Sequence, residues 1–256
     1  MAVITQQYID AIHQYEGGLS ADPKDTAAAA HPSPCGKDSK GNPYHTNKGV
    51  TYSTFKSLAS SLGYTADCAT FLAMPDDVWI KIFKHGYWNP IQLDGVKSNG
   101  VAYLLADFSW GSGAGYVPPF LKKFLSTNYN ITAADTTSQI KALNNLTAKD
   151  EQGVIQKISD ARLSSLKTMK DKKGNSLFAT YGTGWTNRLN GLTDLATSMV
   201  GKIKGELKQD LSSGAYNAVA KTYRFTKQHW IGISLIGVAV TGLTVALVIY
   251  FSKVKK

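Results

Sequence analysis

Apolar residues recur at three- and four-residue steps through most of this chain, and that spacing commits it to packed helices rather than sheets. Ile4, Tyr8, Ile12 and Tyr15 open the series, and Gly17-Gly18 closes it, because only glycine readily takes the left-handed helical cap. Phe55, Leu58 and Leu62 mark a second helix, stopped at Gly63. Pro75-Asp76-Asp77 starts another that runs from Val78 to Phe83. Val101 to Phe108 is almost continuously apolar, the pattern of a central helix covered on all sides. Pro118-Pro119 opens the helix of Phe120, Leu121, Phe124 and Leu125, and Val154, Ile155, Ile158, Ala161 and Leu166 define a longer one containing Arg162. The expected fold class is mainly α, with at most a small β-hairpin. That hairpin is expected between Thr26 and His45, where Pro32, Pro34, Gly36, Gly41 and Pro43 punctuate the chain.

Within this frame Glu16 stands out. It is one of three glutamates, with Glu151 and Glu206, and it falls in the last turn of the first helix. There the helix dipole presents partial negative charge and Tyr15 offers little solvation, so both effects disfavour an ionised carboxylate. A carboxylic acid kept neutral near pH 7 is what a glycosidase uses to protonate a leaving oxygen. A solvated glutamate at a helix end has the same local sequence. For a second catalytic carboxylate the chain offers Asp22 and Asp25.

The stretch Glu16-Gly17-Gly18-Leu19-Ser20-Ala21-Asp22-Pro23-Lys24-Asp25 resumes, after about twenty residues from Thr26 to His45, as Thr46-Asn47-Lys48-Gly49-Val50-Thr51. Together these pieces resemble the N-terminal signature of glycoside hydrolase family 108, the lysozyme-like muramidases common in bacteriophages. Tyr87-Trp88-Asn89-Pro90, the segment Val101 to Gly113 with Asp107-Phe108, and Gly184-Trp185-x-Asn187-Arg188 continue the likeness. The last piece resembles the associated peptidoglycan-binding region. Leu19 stands where the family has an aromatic, and Gly111 where an asparagine is common.

The resemblance implies a lysozyme-like helical domain over residues 1–192, catalytic to about residue 130 and wall-binding-like beyond it. It implies Glu16 as general acid, and Asp25, nine residues on, as the second catalytic group. Asp22, Thr46, Asn47, Thr51, Trp88, Asp107 and Trp110 are the expected substrate contacts. Thr46 and Thr51 serve equally well as turn and cap hydroxyls, and Asp107 as a hydrogen-bonded structural carboxylate. Hydrolysis and lytic transglycosylation both remain open, as does a non-catalytic structural or wall-binding role on the same scaffold.

At the far end, Ile231 to Phe251 is an uncharged run of twenty-one residues. At 1.5 Å per residue it is long enough to cross a hydrocarbon core of about 30 Å, so a transmembrane helix is expected over 231–251. A basic helical stalk is expected over 193–230 and a basic tail over 252–256. Residues 193–256 hold nine of the 28 basic and three of the 18 acidic residues, a net of +6 out of +10. Basic residues beside a span are drawn to anionic headgroups, so the expected partners are a lipid bilayer and bacterial peptidoglycan. Nucleic acid is not expected, because no recognition motif accompanies the charge. Met1-Ala2-Val3-Ile4 has no basic n-region or apolar h-region, so no secretory signal peptide is expected. The implied location is the membrane of a lipid-containing phage particle, or the host inner membrane.

Cys35 and Cys68 are the only cysteines, either a disulfide stapling the insertion or two free thiols. His31, Cys35 and His45 match no standard zinc spacing, and no metal or cofactor is expected. The scattered His13, His31, His45 and His85 present no nucleophile-base pair, which disfavours an amidase or peptidase. Gly111-Ser112-Gly113-Ala114-Gly115 lacks the lysine of a phosphate loop and follows a helix rather than a strand.

Overall fold

The structure, a computed structural model, describes residues 1–25, 28, 31–171 and 173–200. Its helices are α1 (Gln6–Glu16), α2 (Tyr52–Leu62), α3 (Cys68–Ala73), α4 (Asp76–Phe83), α5 (Asn99–Ser112), α6 (Val117–Tyr129), α7 (Thr136–Lys167) and α8 (Leu177–Ser198). Two short strands, β1 (Thr46–Asn47) and β2 (Val50–Thr51), precede α2. A π-turn at Lys84–Trp88 continues α4. The expected mainly helical class is the one the chain adopts.

α5 lies at the centre because its sequence is apolar on every side. Val101, Ala102, Tyr103, Leu105 and Ala106 are all fully covered. Tyr8 of α1 stacks on Tyr103 with ring centroids 4.2 Å apart, a contact worth about 0.5–1.5 kcal/mol beyond its burial. α8 approaches closely at Gly100, where a Cβ would stand 2.6 Å from the Ala196 carbonyl oxygen. α7 and α8 are joined through the buried hydroxyls of Ser159 and Thr193, 2.7 Å apart.

The caps follow the sequence signals. Thr5 caps α1 by accepting from the Tyr8 N–H, and α2 ends at Gly63 in the left-handed conformation. α7 breaks at Asp150, whose extended backbone (φ −153°, ψ 79°) and carboxylate bond to the Gly153 N–H start a second helical segment. That second segment is the one legible from Val154 to Leu166. The short α3 and the first two turns of α8 carry no comparable periodicity and were not expected.

The hairpin lies outside the segment in which it was expected. β1 and β2 pair antiparallel, Thr46 opposite Thr51 and Asn47 opposite Val50, around Lys48-Gly49. Both turn residues have positive φ, 46° and 77°, which suits the twist of a two-residue hairpin. Among its described residues the insertion contributes an isolated bridge between Lys37 and Pro43 and no further strand, since prolines remove the N–H groups a ladder needs. A disulfide between Cys35 and Cys68 ties the insertion to the start of α3. Closing this loop stabilises the fold by about 3–4 kcal/mol.

Leu189, Leu192, Ala196 and Met199 are buried, so the apolar stripe on α8 packs against this helical unit. The domain end expected at residue 192 therefore falls inside α8. The stalk beyond residue 200, the transmembrane helix at 231–251 and the tail at 252–256 lie outside the described residues. Among the described residues no helix is long and apolar enough to cross a membrane.

Candidate active site

Glu16 is the last residue of α1, and the chain leaves the helix at Gly17 with φ 72° and ψ −156°, positive in φ but not the left-handed helical cap the glycine pair predicted. This exit turns the chain toward the hairpin. Ser20 bridges Thr46 through the bond from its N–H to the Thr46 carbonyl at 2.8 Å, and the Lys48 N–H donates to the Gly18 carbonyl at 3.3 Å. The hairpin tip is thereby laid against the end of α1. A Cβ at Gly49 would stand 2.7 Å from Glu16 Oε2 and 2.7 Å from the Trp110 ring. Any side chain there must displace the carboxylate or the indole, and φ is positive besides.

The other carboxylate oxygen is held from α8. Arg188 Nη1 donates to Glu16 Oε1 at 2.5 Å, and Arg188 Nε donates to Asp107 Oδ1 at 2.7 Å. The side chains of Glu16, Arg188 and Asp107 are only 17%, 20% and 13% exposed. Burial works against the Arg188 charge, but the carboxylates of Asp107 and Glu16 more than offset it and push its pKa above the ordinary value. Arg188 is thus a permanent cation shared by two acids, and the setting of Glu16 is not the helix end without a countercharge that the sequence predicted but one with a cation against Oε1. It was read from sequence only as part of a wall-binding-like motif. One signal for its role was present: Arg188 lies on the apolar stripe between Trp185 and Leu192, and a charge on a buried face needs a partner.

Aromatic rings form one wall. Trp110 lies 4.6 Å from Tyr87, 5.4 Å from Trp79 and 5.4 Å from Phe83, measured between centroids. Burial, and then the Glu16 charge, raise the pKa of the half-buried Tyr87, which places that phenol within the field of Glu16. Trp88, an expected substrate contact, is instead 0% exposed and donates its indole N–H to Asp94 at 2.8 Å. The π-turn widens the helix by one residue, so Tyr87 takes the position facing Trp110 and Trp88 turns into the core.

The remaining expected contacts divide. Asn47 is buried, and its amide donates to the carbonyls of Phe71 and Leu72 at 2.7 and 2.9 Å, anchoring the hairpin on α3 rather than meeting a ligand. Thr51 caps α2 by accepting from the Thr54 N–H. The Thr46 hydroxyl lies 2.9 Å from Nδ1 of the fully buried His45, whose Nε2 is 3.2 Å from the Asp22 carbonyl oxygen. The exposed Asp22 accepts from the Lys24 N–H at 2.9 Å. Asp25, also exposed, donates its N–H to the Asp22 carbonyl at 3.1 Å. The structure therefore brings Glu16, Asp107 and Trp110 together, with Asp22 and Asp25 on the loop that His45 fastens to the hairpin. Cys35, once weighed as a metal ligand, is consumed by the disulfide.

Contacts to the end of α3 and the start of α4 fix the hairpin. Lys48 Nζ donates to the Met74 carbonyl at 2.9 Å and to Asp76 at 2.8 Å. His13, one turn before Glu16, meets Trp79 edge-on at 4.6 Å. Burial, and then the Lys48 charge, lower the His13 pKa from 6.5 to about 4. Between those values the unfolded chain binds a proton that the folded chain refuses, so stability rises with pH. The contribution of neutral His13 is complete above about pH 6.5 and is lost as pH falls through about 4. Discounted for the partial exposure of the ring, it amounts to about 2 kcal/mol. His13→Gln should flatten the pH dependence of the urea midpoint across this window, and an NMR titration of the imidazole should give a midpoint near 4.

No curated protein matches the chain. Among solved structures, Brucella abortus SagA is similar, at 23% identity and a TM-score of 0.50, covering 77% of this chain and 95% of that one. At that identity the likeness speaks for the fold alone. Residues 9–113, the stretch from α1 to the end of α5 that holds Glu16, the hairpin, Tyr87, Asp107 and Trp110, match the family model described as Glycosyl hydrolase 108.

Proposed function

We propose that this chain is a glycosidase-type enzyme that cleaves the glycan strands of bacterial peptidoglycan, with Glu16 as the general acid. The observation that carries this reading is convergence on one carboxylate. The Glu-Gly-Gly helix end, the Asn-Lys-Gly hairpin, the Asp107-to-Trp110 turn and Arg188 all meet at Glu16. The family match over residues 9–113 supports the glycosidase class. Since Arg188 occupies Oε1, Oε2 beside Gly49 and Trp110 is the atom assigned to carry the proton.

In the proposed step, Oε2 takes up a proton from solvent and hands it to the glycosidic oxygen as the bond to the anomeric carbon breaks, leaving an oxocarbenium-like sugar. A water deprotonated by Asp25 then adds to that carbon. In the transglycosylase variant the sugar's own 6-hydroxyl replaces the water and an anhydro end results. Trp110 and Tyr87 offer ring faces for the sugar. Mass spectrometry of digested cell walls tests the reading: hydrolytic products are expected, one water heavier than anhydro ends. Anhydro ends alone would transfer the chemistry to transglycosylation, and unchanged walls would remove the enzymatic reading.

The same proposal holds the enzyme at a membrane through residues 231–251, in the envelope of a lipid-containing phage or at the host inner membrane. The uncharged run and its flanking lysines support this. The full chain is then expected to stay with the membrane fraction in alkaline carbonate and to leave it only in detergent. Release by carbonate would remove the anchor.

A further inference from the structure

Between α5, α7 and α8 lies a cavity of about 110 Å³ whose lining includes Asp107, Ser112, Arg162, Leu166, Met169, Trp185 and Arg188. Arg162 is 9% exposed. Its guanidinium carbon sits 3.6 Å over the Phe108 ring, and one terminal nitrogen donates to Ser112 Oγ at 2.7 Å. No carboxylate pairs with it among the described residues. The acid that acts on it, Asp107, already has Oδ1 engaged by Arg188.

Arg188 lines the same cavity, with its charge already shared between Asp107 and Glu16. Its Nη2 lies 2.7 Å from Asp107 Oδ1, yet it is buried without a well-directed hydrogen bond. Two guanidiniums thus line one pocket with a single carboxylate among its described residues, Asp107, between them to balance their charge. An oxyanion meets guanidinium donors with the strongest class of protein hydrogen bond. The planar guanidinium fork matches a carboxylate, and Leu166, Met169 and Trp185 suit the aliphatic stem that carries one.

We infer that this cavity is a subsite for a free carboxylate of the stem peptide attached to the glycan strand, held by Arg162 and Arg188. The inference rests on the peptidoglycan reading above and adds to it a requirement for acidic stems. Arg162 is a specificity-determining residue in this assignment, because it reaches the cavity and not Glu16. Strands whose stem carboxylates are amidated lose that anchor.

Binding by the full-length chain in detergent tests this directly, followed through the Trp185 indole N–H signal. The probes are an acidic stem peptide, the same peptide with every carboxylate amidated, and inorganic phosphate. The acidic peptide should bind at least tenfold tighter than its amide, and Arg162→Gln should erase that preference while Arg162→Lys restores part of it. Equal binding of the two peptides overturns the subsite, as does phosphate binding as tightly as the acidic peptide. Should Arg162→Gln fail to fold, the comparison of peptides on the unaltered chain decides alone. Cleavage of peptide-free glycan strands is scored separately. A chain that cuts them but ignores the acidic peptide loses this subsite and keeps its activity. A chain that binds the peptide yet releases no reducing ends loses only the activity.

Discussion

Replacing Glu16 with glutamine should slow the release of reducing ends from cell walls by about 10²- to 10⁴-fold, the usual worth of a positioned proton donor. Glutamine has nearly the same shape, and its carbonyl can still accept from Arg188 Nη1, so the contact that orients the side chain survives. What disappears is a group able to surrender a proton to a leaving oxygen. Exchanging an ion pair for a cation–amide hydrogen bond costs about 1 kcal/mol, and Asp107 remains on Arg188 to balance its charge. The thermal midpoint is therefore expected within about 2–4 °C of the parent. Rate and midpoint measured on the same preparation separate chemistry from folding. A variant that cleaves walls at the parental rate would move the acid elsewhere. Wall binding without new reducing ends in either protein would leave a non-catalytic wall-binding scaffold.

Much of the fold around this carboxylate was legible because it is encoded locally. The spacing in α1, the Gly63 stop of α2, the Pro-Asp-Asp start of α4 and the apolar run of α5 each depend on neighbours a few residues apart. The site was legible only in part. Glu16 and Trp110 sit in recognisable stretches, but the bond between Glu16 and Arg188 spans 172 residues, beyond the reach of any local pattern. Tyr87 and Trp88 exchanged roles because a π-turn shifts the helical phase by one residue. Asn47 carries its place in the motif by anchoring the hairpin to α3, a duty that its spacing from Gly49 shares with ligand binding. The hairpin was misplaced for a related reason. Proline and glycine mark a turn, but the paired N–H groups lie in the residues after them.

Arg188→Met should be the most destabilising single change at the site. The guanidinium stands between two carboxylates, and its removal leaves both Glu16 and Asp107 without a countercharge in a mostly covered setting. Breaking a buried pair in this way costs about 3–5 kcal/mol, far more than the pair adds by forming. At about 2–4 °C per kcal/mol for a unit of this size, the thermal midpoint should fall by roughly 6–20 °C. Arg188→Lys should land between the two, because a compact ammonium keeps the charge but cannot present Nε and Nη1 to two acids at once. A double-mutant cycle makes the argument sharp. In a Glu16→Gln background only Asp107 is left stranded, so Arg188→Met should cost at least about 1 kcal/mol less there than in the parent. Additive costs would mean that Arg188 acts through its contact with the Tyr15 ring rather than as the bridge between the acids. The kinetics follow the same logic. Arg188→Lys should lower kcat more than it raises KM, since it loosens the residue that aims the proton donor while leaving the wall of Trp110 and Tyr87 in place.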